Sequence, residues 1–435
     1  MHFQLYLRTS YMQSFNFNQR SAIFKHLSKE FNYVSRFESN KYNDTYGRYD
    51  WIIVAAHNAL IHDYKVGKNA WEKLENTIER HNEAEFLTCL LAYDLKNCNE
   101  EISSTNADFT GFPDLCLWKP DVKIMMLRTG DLEVSGGLSI NQIISISNEA
   151  NGDSTENSSF EKEKSLTEEE YTSQFSKLKY HIERGDIYEV NYCREEKGII
   201  KDLDPNSLFE KLNSWSPAPF ACIHKADNHW LICSSPERFL HKQNNTITSQ
   251  PIKGTTKRGE NAEEDIQLQK ELKENQKEKS ENVMIVDLVR NDLSIYAARG
   301  SVQVKELCGI YPFATVSHMI STVQAELKDK KLGIQALAAA FPMGSMTGAP
   351  KLSAMKLIEE AEDFKRGIYS GATGYFLKNG DFDFNVVIRS FVWNSLNGHL
   401  SFSTGSAITI AAQADKEFQE CELKAKALWK ALQPN

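Results

Sequence analysis

The sequence predicts an α+β fold built on large antiparallel sheets. Strand-like runs outnumber the helical stretches that could cross between parallel strands, and several follow one another directly: 220–225, 230–235, 301–308, 314–325, 370–377 and 383–393. Across 382–393, Phe382, Phe384, Val386 and Ile388 alternate with Asp383, Asn385 and Arg389, the period-two pattern of a strand. The sequence also lacks the glycine-rich strand-to-helix turns, GxGxxG or Walker, that would announce a doubly wound parallel sheet. At 435 residues the chain is long enough for one large domain or two to three ordinary ones.

Residues 1–147 are expected to form an N-terminal region of mixed elements. YDWIIVAA (49–56) and EFLTCLLAYDL (85–95) read as strands, with NAWEKLENTIERH (69–81) as a helix between them. Residues 148–166 are almost free of apolar side chains and read as a solvated linker. A second region is expected over 167–432. It opens with Thr167 and Glu170 in capping-box spacing, followed by Tyr171, Phe175, Leu178 and Ile182 at helical intervals. A long helix starts near Glu278 and ends in NDLSIYAARG (291–300), and an amphipathic helix covers 414–432.

Composition removes several classes of function. The net charge is −9, and no basic cluster interleaved with aromatics is present, so no nucleic-acid partner is expected. The most apolar runs, 51–56 and 336–343, are too short to span a bilayer, so no membrane role is expected. The first residues lack the charged-then-apolar order of a secretion signal, and a cytoplasmic protein is expected. The eight cysteines are scattered without a CxxC pair, which suits reduced, mostly buried thiols. HExxH and GxSxG are absent, and GSMTGAPK (344–351) has the wrong spacing for a phosphate loop.

What remains is a set of polar side chains in unusual settings. Lys253 lies between Pro251-Ile252 and Gly254-Thr255, a flexible amine in a stiff, turn-prone frame. Glu278 and Glu281 are three apart on one predicted helix, and Glu417 and Glu420 on another. Such pairs repel on a shared face. They are either solvated faces, balanced by Lys277, Lys279 and Lys424, or, if the helices face each other, an all-oxygen site suited to Mg²⁺. Arg389 inside a strand needs a partner, either a substrate carboxylate or a structural aspartate. His318 interrupts an apolar strand, as a core histidine or a site residue. Glu237 follows a proline at a strand end, where an ion pair with Arg238 would also be unremarkable. Tyr369 precedes small residues that would let a ligand approach the backbone.

These segments together resemble the chorismate-utilising enzymes. The matching blocks are SSPERFL, PIKGT, ENVMIVDLVRND, SHMISTV, FPMGSMTGAPK, YSGATGY, VVIRS, STGSAI and EFQECELKAKAL, in the family's order from Ser234 to Leu428. Residues 1–147 match weakly, through LAYDL and FPDL. The resemblance implies a sandwich of antiparallel sheets with helices outside. It implies Mg²⁺ held by Glu281 and Glu420, with Glu278 and Glu417 acting through water. Tyr369, Arg389 and the backbone of Gly405 would hold the enolpyruvyl carboxylate of chorismate. His318 would lie beside the C4 hydroxyl, with Ser345 and Thr255 also in contact with substrate.

PIKGT is similar to the form found in members that aminate chorismate at C4, whereas anthranilate-forming members carry alanine at the lysine position. The implied reaction is chorismate and ammonia to 4-amino-4-deoxychorismate, serving p-aminobenzoate and folate synthesis. Lys253 would attack C2 while the C4 hydroxyl leaves, with Glu237 as acid and base. Burial or a nearby cation is expected to depress the amine's pKa. A separate glutamine amidotransferase subunit would supply the ammonia. The alternatives are an anthranilate-forming enzyme and a silent chorismate-binding subunit. One departure concerns Glu189 in IYEVNYC: nitrogen-using members usually have glutamine there, and water-using members lysine. The serine-rich motif for sensing tryptophan is also missing, so tryptophan feedback is not expected.

Overall fold

The computed structural model describes residues 7–9, 15–42, 44–47, 49–100, 102–148 and 159–433. Among them, two antiparallel sheets of 12 and 10 strands lie face to face, with helices packed on their outer surfaces. Residues Phe37, Ile52, Val54 and Cys222 of the larger sheet meet Phe86, Leu90, Trp118 and Tyr375 of the smaller in one buried cluster. On the opposite face of the larger sheet, Trp51, Ile53 and Ile223 pack against Phe24, Leu27, Phe209 and Leu428 from three helices. This explains the nearly unbroken apolar run in Tyr49–Ala56: both of its faces are covered, so alternation has no polar side to show. Each such buried Leu, Ile, Val or Phe contributes about 1.5–3 kcal/mol relative to exposure.

Both sheets draw strands from either side of the polar segment. Tyr33–Glu38 pairs with Phe220–Ala226 in the larger sheet, and Phe86–Leu91 pairs with Ala372–Leu377 in the smaller. Of the expected linker, 149–158 lie outside the described residues, and Glu161–Lys162 near its end pairs with Gly198 and Ile199.

Local signals are realised where they are strong. Thr167 and Glu170 form both bonds of the capping box at the start of Glu168–Arg184, and Gly185, at φ +84°, closes it. The carboxylate-bearing helices are Gln276–Ser294 and Ala414–Leu432. The run expected as one strand over 383–393 is instead two. Phe382–Val386 belongs to the smaller sheet and Ser390–Asn394 to the larger. Between them the chain crosses from sheet to sheet, with Arg389 in the left-handed region at φ +52°. Likewise 85–95 is strand only over Phe86–Leu91, and Tyr93–Leu95 is a turn of 3₁₀ helix.

Candidate active site

Lys253 owes its position to a bulge. Ile252 pairs with Ile320 and Thr255 with His318, so three steps along one strand match two along its neighbour, Val316–Glu326. The extra residue falls at Lys253-Gly254, and Gly254 takes up φ +97°. A Cβ at Gly254 would sit 3.1 Å from Glu278 Oε2 and 3.2 Å from Met319 Cβ, so only glycine lets the bulge lie this close to the helix. The Asn282 side-chain amide clamps it, donating to the carbonyls of Lys253 (3.2 Å) and Met319 (3.3 Å).

The amine so placed lies 3.0 Å from Glu189 Oε1, and the side chains are 12 % and 1 % exposed. Burial by itself would lower the lysine pKa, but Glu189, Glu281 and Glu420 outweigh it and raise it above the ordinary value. The expected depression of Lys253 is therefore not found: the three carboxylates favour its ammonium form.

Glu237 is free of Arg238. That guanidinium grips both oxygens of Asp383 (2.8 and 2.9 Å) and also Asp44. Glu237 Oε1 instead accepts from Ser345 Oγ at 2.7 Å. Burial raises its pKa to about 7, against the opposing pull of Ser345 and Lys253. A carboxyl poised there can serve as both acid and base near neutrality.

His318 Nδ1 lies 2.8 Å from Thr255 Oγ1 and its Nε2 lies 3.3 Å from an Arg389 nitrogen. A guanidinium only donates, so Nε2 accepts and Nδ1 carries the hydrogen. Burial, with Arg389 and Lys424 adding, holds the ring neutral. Arg389 is brought here by the sheet-to-sheet crossing, pinned as Ser234 N–H donates to its carbonyl at 3.1 Å. Among the described residues no carboxylate forms an ion pair with it, so the structural-aspartate alternative is not realised, and Asp383 on the preceding strand is spent on Arg238. Burial lowers the Arg389 pKa to about 10, where it still carries its charge at neutral pH. A half-buried cation without an ion-pair partner is a receptor for an anion.

The four helix carboxylates share one side of the site with lysines. Lys277 lies 3.7 Å from Glu281 and 3.3 Å from Glu417, bridging the two helices. Lys424 pairs with Glu420 at 2.7 Å and donates to the Gly405 carbonyl at 2.7 Å. Burial raises the pKa of Glu278 and Glu417, and that of Glu281 to about 7. For Glu420 burial is outweighed by Lys424 and Lys253, and its pKa falls. Among the described residues no three acidic, histidine or cysteine side chains close into a ready-made metal cluster. The oxygen-only donor set and Glu281 Oε1, buried with no hydrogen bond and only the longer 3.7 Å approach of Lys277, do fit a hard cation.

Other expected residues are placed less directly. Tyr369 is buried, and its hydroxyl accepts from Cys193 Sγ at 3.9 Å. Gly405 faces Cys193 across the ladder, and a Cβ there would come 2.5 Å from that sulfur. Asn282, Lys277 and Lys424 went unnoticed as site-builders in the sequence, because a helix-surface lysine or asparagine carries no signal until its partners across the fold are known.

A largely buried lysine, a carboxyl with a raised pKa, an arginine without an ion-pair partner and a carboxylate cluster are thus brought together on a two-sheet α+β scaffold. Residues 32–430 match the family of chorismate binding enzymes, and the chain belongs to that family. It is 36 % identical over 268 residues to aminodeoxychorismate synthase component 1 of Bacillus subtilis, covering 62 % of this chain and 56 % of that protein. It is 39 % identical over 262 residues to the chloroplastic aminodeoxychorismate synthase of Arabidopsis thaliana, covering 60 % and 28 %. Anthranilate synthase component 1 of Acetivibrio thermocellus is 35 % identical over 268 residues, covering 62 % and 54 %. The matched region thus spans between about a quarter and just over half of these curated relatives. The fold matches the crystal structure of anthranilate synthase component I from Streptococcus pneumoniae with a TM-score of 0.75 at 23 % identity, over 90 % of this chain and 93 % of that one.

Proposed function

We propose that this chain converts chorismate and ammonia to 4-amino-4-deoxychorismate. The observation that carries the reading is Lys253, a largely buried amine aimed by a bulge between Glu189 and the carboxylate-bearing helices. An anthranilate-type site has no use for a lysine there. Arg389 receives the enolpyruvyl carboxylate, with Tyr369 and the Gly405 backbone at the same end. Glu237, protonated near neutrality, gives its proton to the departing C4 hydroxyl and later takes one from the incoming nitrogen. His318, neutral and held by Thr255, orients that hydroxyl. Lys253 forms the bond to C2 and is expelled when ammonia adds at C4, which divides one hard displacement into two easier ones.

Glu281 and Glu420, supported by Glu278 and Glu417, would hold Mg²⁺. When bound, the ion supplies charge neutralisation for the ring carboxylate. Ammonia would come from glutamine through a separate amidotransferase subunit, a reading supported by relatives named as component 1. The test is the product formed by purified protein from chorismate, an ammonium salt and Mg²⁺. Mass spectrometry should find aminodeoxychorismate, which an added lyase converts to p-aminobenzoate. Anthranilate would instead favour the second reading, which rests on the similarity to anthranilate synthase component 1. No product with or without an amidotransferase would favour a silent subunit.

A further inference from the structure

We infer that Glu189 positions Lys253 and takes its proton before the amine reacts. The inference rests on the reading of Lys253 as the nucleophile.

Glu189 is gripped where its strand begins. It pairs with Ala349, and a Cβ on the neighbouring Gly348 would lie 2.1 Å from its carbonyl oxygen. The strand Glu189–Ile199 is anchored along its whole length to His399–Ile408. The carboxylate therefore has little freedom, and it is 1 % exposed. Oε1 meets the Lys253 amine, while Oε2 is buried with no hydrogen-bond partner. A buried carboxylate normally fills both oxygens, and leaving one empty is costly. The empty oxygen can receive a proton.

Other cations are committed elsewhere. Lys277 serves Glu281 and Glu417, and Lys424 serves Glu420. Glu189 is the one ion-pair partner of Lys253 among the described residues. The charges facing the pair are Glu278, Glu281 and Lys277 from one helix, Glu420 and Lys424 from the other, and Glu237 from the strand end beside it.

An ammonium ion has no lone pair with which to attack. Moving one proton from Nζ to a Glu189 oxygen turns ammonium and carboxylate into amine and carboxylic acid with no change in total charge. The amine lone pair then bonds to C2, the ring electrons shift, and the C4–O bond breaks. The hydroxyl leaves as water with the Glu237 proton. When ammonia bonds to C4, the C2–N bond electrons return to Lys253, which recovers its proton from Glu189. Glu237 is restored by a proton from the new C4 ammonium, so the sum is chorismate plus ammonia giving aminated product plus water.

This makes a distinguishing forecast. In the native pair the reactive form has as many protons as the resting form, so reaching it needs no net loss to solvent. Glu189→Gln keeps the shape but cannot accept the proton, so the amine must release it to water. The test is kcat/KM for chorismate at fixed free ammonia and saturating Mg²⁺, from about pH 6 to about pH 9, in the native, Glu189→Gln and Glu189→Asp proteins. Glu237 gives all three proteins a falling limb above about pH 7, so the expected result is in the ratio to native: kcat/KM of Glu189→Gln divided by the native value rises about tenfold per pH unit, whereas the same ratio for Glu189→Asp stays level. A uniform drop with an unchanged profile in Glu189→Gln, or native kinetics throughout, would overturn the proposal.

A second readout needs no turnover. Acylation of Lys253 by an amine-reactive ester, located by peptide mass spectrometry, should be faster in Glu189→Gln than in the native protein at the same pH. Equal labelling would overturn the holding role. If labelling responds as expected but the native protein forms no aminated product, the reaction reading is what has failed, and the proton-transfer step falls with it.

Discussion

Ser345 Oγ donates to Glu237 Oε1 at 2.7 Å, joining a 3₁₀ turn to a strand end 108 positions away in the chain. The carboxyl it reaches is one that burial has pushed up to about pKa 7. Replacing Glu237 by Gln keeps the acceptor and removes the titrating proton. Chorismate amination should fall by about 10²–10⁴-fold, measured as kcat. A variant with native kcat would remove Glu237 from the chemistry.

The same carboxyl makes a stability prediction. Its folded pKa is raised from 4.5 to about 7, so between those values the folded state holds a proton that the unfolded state has lost. Its contribution is present below the unfolded pKa and is lost as pH rises through the folded one, by roughly 3 kcal/mol at most. Glu237→Gln should therefore gain Tm relative to the native protein at about pH 8 compared with about pH 5. Parallel Tm curves would contradict the shift.

Lys253→Ala should lose aminodeoxychorismate formation by about 100-fold or more, or divert it to anthranilate. Product ratios by liquid chromatography and mass spectrometry decide this. Native rate and product together would leave Lys253 without a covalent role.

Glu420→Ala removes one carboxylate and strands Lys424. Calorimetric titration with Mg²⁺ or Mn²⁺ should show binding weakened by at least about tenfold, alongside lost activity. Unchanged metal affinity would contradict the assignment.

Gly254→Ala forces a Cβ into the left-handed region and toward Glu278 and Met319. It should cost about 1–2 kcal/mol in denaturant unfolding and misplace the amine. Native stability together with native kcat would show that the bulge can relax.

Where sequence reading succeeded and where it failed follows from the range of the interactions involved. Tyr49–Ala56, Glu168–Arg184 and Ala414–Leu432 are where a short apolar run, a capping box and helical periodicity put them, because those signals act within a few residues. The break at Val387–Arg389 was invisible because Ile388 and Arg389 continue the alternation of the strand before them. Only the need to pass between two sheets bends the chain there. The bulge at Lys253 depends on register against Val316–Glu326, which no local pattern encodes. Glu189 stood out as an odd residue, but its partner lies on another sheet, and charge alone could not name it. The site list came from family resemblance; the pairings within it came from the fold.

The interleaving of the sheets bears on how the enzyme comes into being. Tyr33–Glu38 must wait for Phe220–Ala226, and Phe86–Leu91 for Ala372–Leu377, before either sheet is whole. Such distant pairings carry a large loop-closure cost and slow the search for the native state. During synthesis each of these strands has one local mate, Tyr49–Ala56 for the first and Leu115–Trp118 for the second, while its other edge stays open for more than a hundred residues. The candidate site is thus completed late, and a nascent chain stalled before Ala414–Leu432, the helix that carries Glu417 and Glu420, would be a client for chaperones.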